Sequence, residues 1–278
     1  MSDSIIVGVT DAPSSRYAVD WAVARAATRG QDVVLFTIVG GAVGAVGEDE
    51  VLERALAAAQ AAADAEAARV GASGVAVTTR VARGNPTTEL IEASEDAALL
   101  VIGSDHRAHG KGRNGPHGPH VVAGSRCPVV VVPDVDTEGR HGIVVGVDGS
   151  DVSGKAIAFA AAEASRLGEP LIAVSAWSPV VIPGDFTMYP EMYVTDLESS
   201  TRALVDGMLE DVRAAYPQLE IETRVEEGDP STVVNDIAAT ARMTVVGTHG
   251  RTGFTRFLLG STSAQVLEHL ATVTAVVR

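Results

Sequence analysis

Short β-branched apolar runs alternate along this chain with longer alanine-rich segments whose apolar positions recur at helical spacing. In the second half the apolar runs fall at 142–147, 170–177, 219–226, 243–247 and 272–277. The segments between them, near 151–168, 194–216, 230–241 and 260–270, carry helix-boundary signals: Asp229-Pro230 marks a start and Gly168 an end. The order is β-α-β-α-β-α-β-α-β. Runs such as IVVGV and TVVGT are apolar on both faces, as parallel strands covered by helices on each side require. With right-handed crossovers the pattern predicts an α/β fold built on a doubly wound, five-stranded parallel sheet. The first half follows the same plan, and the alanine-rich stretch 50–70 is its clearest helix.

The two halves are copies. IIVGVTDAPSSRYAVDWAVARAATRGQDVVLFTIV lies over IVVGVDGSDVSGKAIAFAAAEASRLGEPLIAVSAW at an offset of 138, and RVARGNPTTELIEASEDAALLVIGS over RVEEGDPSTVVNDIAATARMTVVGT at 144. Six residues have therefore entered the second copy, in the loop around Ser178 to Thr195. A period of this size equals a domain rather than a solenoid repeat, so the chain reads as two tandem domains, 1–138 and 139–278. The polar stretch PDVDTEGRHG, residues 133–142, carries the boundary.

Composition narrows the partners. The chain has 278 residues and 28.6 kDa, with 46% hydrophobic, 21% charged and 4% aromatic residues. That is a globular composition with few rings for base stacking. The net charge of −15 belongs to both halves: 11 basic residues stand against 18 acidic in 1–138, and 10 against 18 in 139–278. Such a field repels phosphate backbones and anionic lipid, so neither nucleic acid nor membrane is an expected partner, while a small anion can still bind locally. One cysteine, Cys127, permits no intrachain disulfide; it starts the last apolar run of the first copy and reads as a buried small apolar residue. With no signal-peptide pattern and no apolar run of membrane length, the expected location is the cytoplasm.

In a doubly wound sheet, ligands bind beyond the carboxyl ends of the strands, where the winding reverses. There the second copy carries Gly247-Thr-His-Gly250, nine residues (RTGFTRFLL), then Gly260-Ser261-Thr262, between a strand and an amphipathic helix. Gly247 and Gly250 are expected to adopt positive φ and to let backbone N–H groups approach an anion. Gly260, Ser261 and Thr262 would offer N–H groups and hydroxyls at a helix start. The first strand of this copy ends VGVDGS, which puts the Asp148 carboxylate at the neighbouring carboxyl edge. It can accept from a ribose or an adenine amine, or it can cap the helix beginning near Ser150. Arg251 and Arg256 in the loop are either phosphate contacts or surface charges, and His249 is a ligand contact or a loop filler.

The arrangement resembles the universal stress protein family in its tandem form, over essentially the whole chain. G-x-x-G, nine residues, G-(S/T) is that family's ATP-binding signature, and here it runs unbroken as GTHGRTGFTRFLLGS. The resemblance implies an adenosine end at Gly146, Val147, Asp148 and Ala176, and phosphates at Val246, Gly247, Gly250, Gly260, Ser261 and Thr262; Arg251, from its place in the loop, is added to the expected nucleotide contacts, and Mg²⁺ can accompany the phosphates. It also implies a Rossmann-like fold of the HUP type with strand order 3-2-1-4-5, and pairing of fifth strands, in a homodimer or as a pseudo-dimer of the two halves. A role in stress response, dormancy or growth control, through a regulatory protein partner, is likewise what the family implies.

The first copy departs from the signature. Thr10 stands in place of Asp148 and His106 in place of the second motif glycine. Its loop is one residue shorter and puts Gly115-Pro116 where Gly-Ser belongs, with Pro119 close behind, which argues against a regular helix there. This copy is expected to bind nucleotide weakly or not at all. His106-x-x-His109 and His117-x-x-His120 have spacing that suits a transition metal, but the bland reading is a solvated Gly-rich loop, and no metal site is assigned. The signature contains no G-x-x-x-x-G-K-(S/T) lysine and no evident general base, so no catalytic residue is named. The expectation is an ATP-binding regulator. A slow hydrolase or transferase using the same site, and a dimeric scaffold with a vestigial site, remain the alternatives. The inserted SPVVIPGDFTMYPEMYVTDLE is read as a lid, a contact for a second chain, or padding.

Overall fold

The computed structural model describes residues 3–40, 48–107, 118–178, 191–250 and 259–278. The chain divides into two units, Met1–Val135 and Asp136–Arg278. In the first, β1 (Ile5–Gly8), α1 (Pro13–Arg29), β2 (Val33–Val39), α2 (Glu48–Val70), β3 (Val77–Arg83), α3 (Pro86–Ala93), β4 (Leu99–Arg107), α4 (Gly118–Gly124) and β5 (Val129–Asp134) follow in order. The second repeats them as β6 (Ile143–Gly146), α5 (Asp151–Leu167), β7 (Leu171–Trp177), α6 (Glu191–Met208), α7 (Glu210–Ala215), β8 (Ile221–Glu227), α8 (Pro230–Ala238), β9 (Met243–Gly247), α9 (Ser261–Glu268) and β10 (Val273–Val277).

All strand pairs within each unit are parallel. They give the order β3-β2-β1-β4-β5 in the first unit and β8-β7-β6-β9-β10 in the second, which is 3-2-1-4-5 in both. Central strands are buried along their length, IVV of β6 and MTVV of β9 included, because helices lie over both faces. A side chain grown on Gly247 would run into Val152 of α5, and one on Gly146 would meet Val234 of α8. These two glycines report opposite faces. The edge strand β8 instead exposes Glu222, Glu226 and Glu227, charges that discourage pairing with another sheet.

Alanine brings α1 and α5 close to their sheets. Ala18, Ala22 and Ala26 in α1, and Ala156, Ala160 and Ala164 in α5, are fully buried and recur every four residues on one stripe. Helix ends follow the cues in the sequence. Asn85 accepts from the Thr87 and Thr88 amides at 2.9 and 3.3 Å, and Asp229 from those of Ser231 and Thr232 at 3.0 and 3.1 Å, each just before a proline in the first turn. Gly168 ends α5 at φ 66°, the left-handed region that glycine enters without cost.

Two expectations fail locally. The segment expected as one helix, 194–216, is α6 and α7, divided at Leu209. The Leu209 amide is shared between the Val205 and Asp206 carbonyls at 3.1 and 3.2 Å, a tightened turn that keeps this leucine fully buried. Pro119 does not abolish a helix either. It is the second residue of α4, where a missing N–H removes no intrahelical bond.

Candidate functional site

The second unit opens at the reversal of winding. β6 pairs with β9 from Ile143↔Met243 to Val145↔Val245 and no further, although β6 continues along β7 to Gly146↔Val174 and β9 along β10 to Gly247↔Val277. In the first unit the equivalent pairing runs one step longer, to Gly8↔Ile102. The two strands of the second unit part at Gly146 and Val246, between the tips that carry Asp148 and Thr248.

Asp148 is built into the start of α5. Its Oδ1 accepts from the Ser150 amide at 3.0 Å, the Ser150 hydroxyl at 2.7 Å and the Ser153 hydroxyl at 2.5 Å. Its own N–H donates to Ser153 Oγ at 3.0 Å, and Ser150 Oγ, the helix cap, accepts from the Ser153 amide at 3.2 Å. The capping reading of Asp148 is thus resolved in detail: Ser150 is the cap, and Asp148 holds Ser150 and Ser153. Oδ2 faces Gly250, where an added Cβ would stand only 2.4 Å from it. Thr10 of the first unit does the turn's work without a carboxylate. Its N–H donates to Ser15 Oγ at 3.0 Å and its hydroxyl accepts from the Ala12 amide at 3.3 Å. A carboxylate is therefore not needed for this turn.

Opposite Asp148, Thr248 ties the loop. Its N–H donates to the Val277 carbonyl at 2.8 Å, and its own carbonyl accepts from the Gly260 amide at 2.7 Å and the Ser263 hydroxyl at 3.2 Å. The Gly260 amide is therefore spent inside the protein. Gly260 contributes by lacking a side chain: a Cβ there would lie 3.3 Å from Ser263 Oγ, 3.4 Å from the Thr248 carbonyl and 3.5 Å from His249 Cα. α9 begins without any side-chain cap and with no acid in its first turn, whereas α5 and α8 are capped by Ser150 and Asp229. The Ser261 and Thr262 amides point out of the helix start with no intrahelical acceptor, the geometry that attracts an anion.

The expected positive φ at Gly247 and Gly250 is not found; among the described glycines of this turn region only Gly149 takes it, at 85°. Space, not handedness, selects glycine at both motif positions. At Gly247 a Cβ would sit 2.8 Å from Val152 Cγ1, and the first-unit counterpart, Gly103, is tighter still against the backbone of Ser14. Val147 and Val246 are both 4% exposed, and the Val147 amide is taken by the Val174 carbonyl at 2.8 Å, so the two valines wall the crevice rather than bind through side chains. Ala176 is half-buried at the tip of β7 beside Trp177. Arg251 and Arg256 lie outside the described residues, as do most of the inserted segment and the side chains of His106, His109 and His117. Ser150, Ser153 and Thr248 were not singled out from the sequence. Ser15 and Ser153, shared between copies at the offset of 138, are the signal that marked one of them.

Among the described residues, the opposite edge of this unit carries no comparable chemistry. A cleft of about 470 Å³ between the end of α5 and the turn before β8 is lined by Ser165, Glu169, Pro170, Tyr216 and Glu220. Its buried carboxylate, Glu169, is already engaged by the Gly142 amide at 2.8 Å and Arg242 at 3.0 Å. Burial pushes the Glu169 carboxyl up, yet those two partners and His141 more than offset it and leave it below the usual carboxylate value. No helix among the described residues is long and apolar enough to cross a membrane.

Known proteins agree with this architecture. A universal stress protein of Mycolicibacterium smegmatis is 31% identical over 287 aligned positions, 99% of this chain and 96% of that one. A universal stress protein of Mycobacterium tuberculosis is 37% identical over 201, covering 69% of this chain and 65% of its own. The crystal structure of a universal stress protein from Archaeoglobus fulgidus superposes with a TM-score of 0.75 at 17% identity, over 100% of this chain and 98% of that one, which shows the shared fold. The universal stress protein family profile matches residues 1–133 and again 139–278, so the chain belongs to the universal stress protein family and carries its domain twice.

Proposed function

We propose that the second unit binds an adenine nucleotide, ATP foremost, and that the chain is a nucleotide-responsive regulator rather than a turnover enzyme. The uncapped start of α9 beside Thr248 carries this reading. The neighbouring helices of the unit meet their first amides with their own side chains, and this one offers its amides outward with no acidic residue to repel a phosphate. In this arrangement the amides and hydroxyls of Ser261 and Thr262 take phosphate oxygens, with Arg251 adding charge and Mg²⁺ accompanying the phosphates. Asp148 accepts from the ribose or the adenine amine. Gly146, Val147, Ala176 and Val246 wall the adenosine end, and Gly247, Gly250 and Gly260 keep the approach clear. The first unit, with Thr10 and a proline-bearing loop, binds nucleotide weakly or not at all.

Bound nucleotide stabilises the occupied fold by mass action, about 2.7 kcal/mol when ligand stands at 100 times its dissociation constant. A regulator of stress response, dormancy or growth would signal by that population shift to a protein partner, acting in the cytoplasm and as a homodimer or a pseudo-dimer of its halves. The test is calorimetric titration of nucleotide-stripped protein with ATP, ADP and cyclic AMP, alongside Gly260→Asp. One ATP site per chain, lost in the variant, is the expected result. No binding, or two tight sites, would overturn the assignment. ATP turnover above the Gly260→Asp background would make the same site that of a slow hydrolase or transferase.

A further inference from the structure

Helices α8 and α9 are joined through a serine with a single hydrogen to give. Ser231 Oγ, in the first turn of α8 and buried, lies 2.5 Å from Asp229 Oδ1 and 2.5 Å from Oε1 of Gln265, which is exposed on α9. Asp229 also accepts from the Ser231 and Thr232 amides at 3.0 and 3.1 Å. The Ser231 hydroxyl above all, with those amides, holds the Asp229 carboxyl below the usual carboxylate value, so at neutral pH it can only accept. The Ser231 hydrogen therefore goes to Asp229. A half turn of the Gln265 amide exchanges its oxygen for its nitrogen, and with the nitrogen forward each contact is a donor meeting an acceptor: Gln265 N–H to Ser231 Oγ, then Ser231 O–H to Asp229.

Gln265 follows Ser261 by four residues, so the two lie on one face of α9, a turn apart. The start of that helix is tied through the Gly260 amide and the Ser263 hydroxyl to the Thr248 carbonyl and has no side-chain cap. We propose that Gln265 is a positioning residue for the phosphate end of the site: through Ser231 it fastens α9 to the cap of α8 and so fixes where the Ser261 and Thr262 amides aim. The proposal rests on the nucleotide reading above and adds to it a residue that touches no ligand. The grip draws on the Asp229 charge while a neutral hydroxyl and a neutral amide keep that charge off α9, whose own acid, Glu268, stands at the far end. In the first unit Asn85 and Thr87 occupy the positions of Asp229 and Ser231, so the copy with the broken signature also lacks the carboxylate that ends this chain of bonds.

The test is titration of nucleotide-stripped protein with ATP and with adenosine. Gln265→Met keeps the length and loses the amide; it weakens ATP about 3- to 10-fold, the scale of one hydrogen bond, and leaves adenosine within about two-fold. Adding Ser231→Ala to Gln265→Met costs ATP affinity no more than either change alone, because both break the same link. Gln265→Glu cannot donate to Ser231 while ionised; its ATP affinity, taken relative to the parent at the same pH, is lowest near about pH 8 and recovers towards about pH 5 as the added carboxyl, beside Asp229, takes a proton. Asp229, Glu268 and His269 are common to both proteins and cancel in that ratio. A variant that also melts lower still reads out, since the two ligands are compared on one protein. Unchanged ATP affinity in Gln265→Met, equal losses for ATP and adenosine, additive losses in the double variant, or a Gln265→Glu deficit independent of pH would each overturn the proposal and leave the nucleotide site standing. A parent protein that binds neither ATP nor adenosine would sink both readings together.

Discussion

Gly250→Ala tests whether Asp148 and the signature loop meet as described. The new methyl would stand 2.4 Å from Asp148 Oδ2, a separation that carbon and oxygen do not tolerate. The carboxylate has little room to yield, because its other oxygen accepts three hydrogen bonds at 3.0, 2.7 and 2.5 Å. Turning it far enough to clear the methyl sacrifices at least one bond to a charged acceptor, about 1.5–3 kcal/mol. For a unit of this size that is a fall in melting temperature of roughly 4–10 °C. The assay is a double-mutant cycle in thermal or urea unfolding, with Asp148→Ala as the second change. Once the carboxylate is gone, Gly250→Ala has nothing to strike, and its cost should drop below about 0.5 kcal/mol, the scale of an unremarkable surface substitution. An unchanged cost in the Asp148→Ala background would refute the contact and the site built around it. A negligible cost in both would show that the loop simply steps aside.

Three further outcomes are expected. Gly103→Ala should destabilise by about 3 kcal/mol or more, because its Cβ meets the Ser14 carbonyl oxygen at 2.5 Å and its carbon at 2.6 Å; Gly247→Ala, opposed by the rotatable Val152 side chain at 2.8 Å, should cost less, and urea unfolding reversing that rank would contradict the packing. Glu169→Gln should lower the melting temperature at pH 7 and differ little from the parent at acid pH. A carboxyl held below its usual value stabilises the fold above pH of about 4 and stops doing so as pH falls through its folded value, so a gap constant from pH 7 to 3 would refute the account. Asn85→Ala and Asp229→Ala should each cost about 1 kcal/mol in urea unfolding, and a variant indistinguishable from the parent would mean the cap is not used.

The strands were legible because period and burial agree. IVVGV and TVVGT put apolar residues on both faces of the strand, and only a doubly covered parallel sheet buries both sides of such a run. Caps were legible where a proline fixed the first turn, as at Asp229-Pro230. The division at Leu209 was not, since a one-residue tightening leaves the apolar spacing of 194–216 unchanged. For the motif glycines, sequence gave the positions but the wrong cause. Positive φ and close approach to Val152 or Asp148 select the same residue type, and only coordinates distinguish them. The commitment of the Gly260 amide to Thr248 was hidden for a related reason: it pairs residues twelve apart through backbone atoms, which carry no side-chain signature.

That amide also bears on how the loop can change. The chain leaves the sheet at Thr248 and comes back to the very same residue at Gly260, so the framework is sealed before residue 251 and after residue 259. Both ends of the signature's nine-residue stretch are thus fixed through one residue, which makes that stretch the natural unit to exchange in engineering this protein.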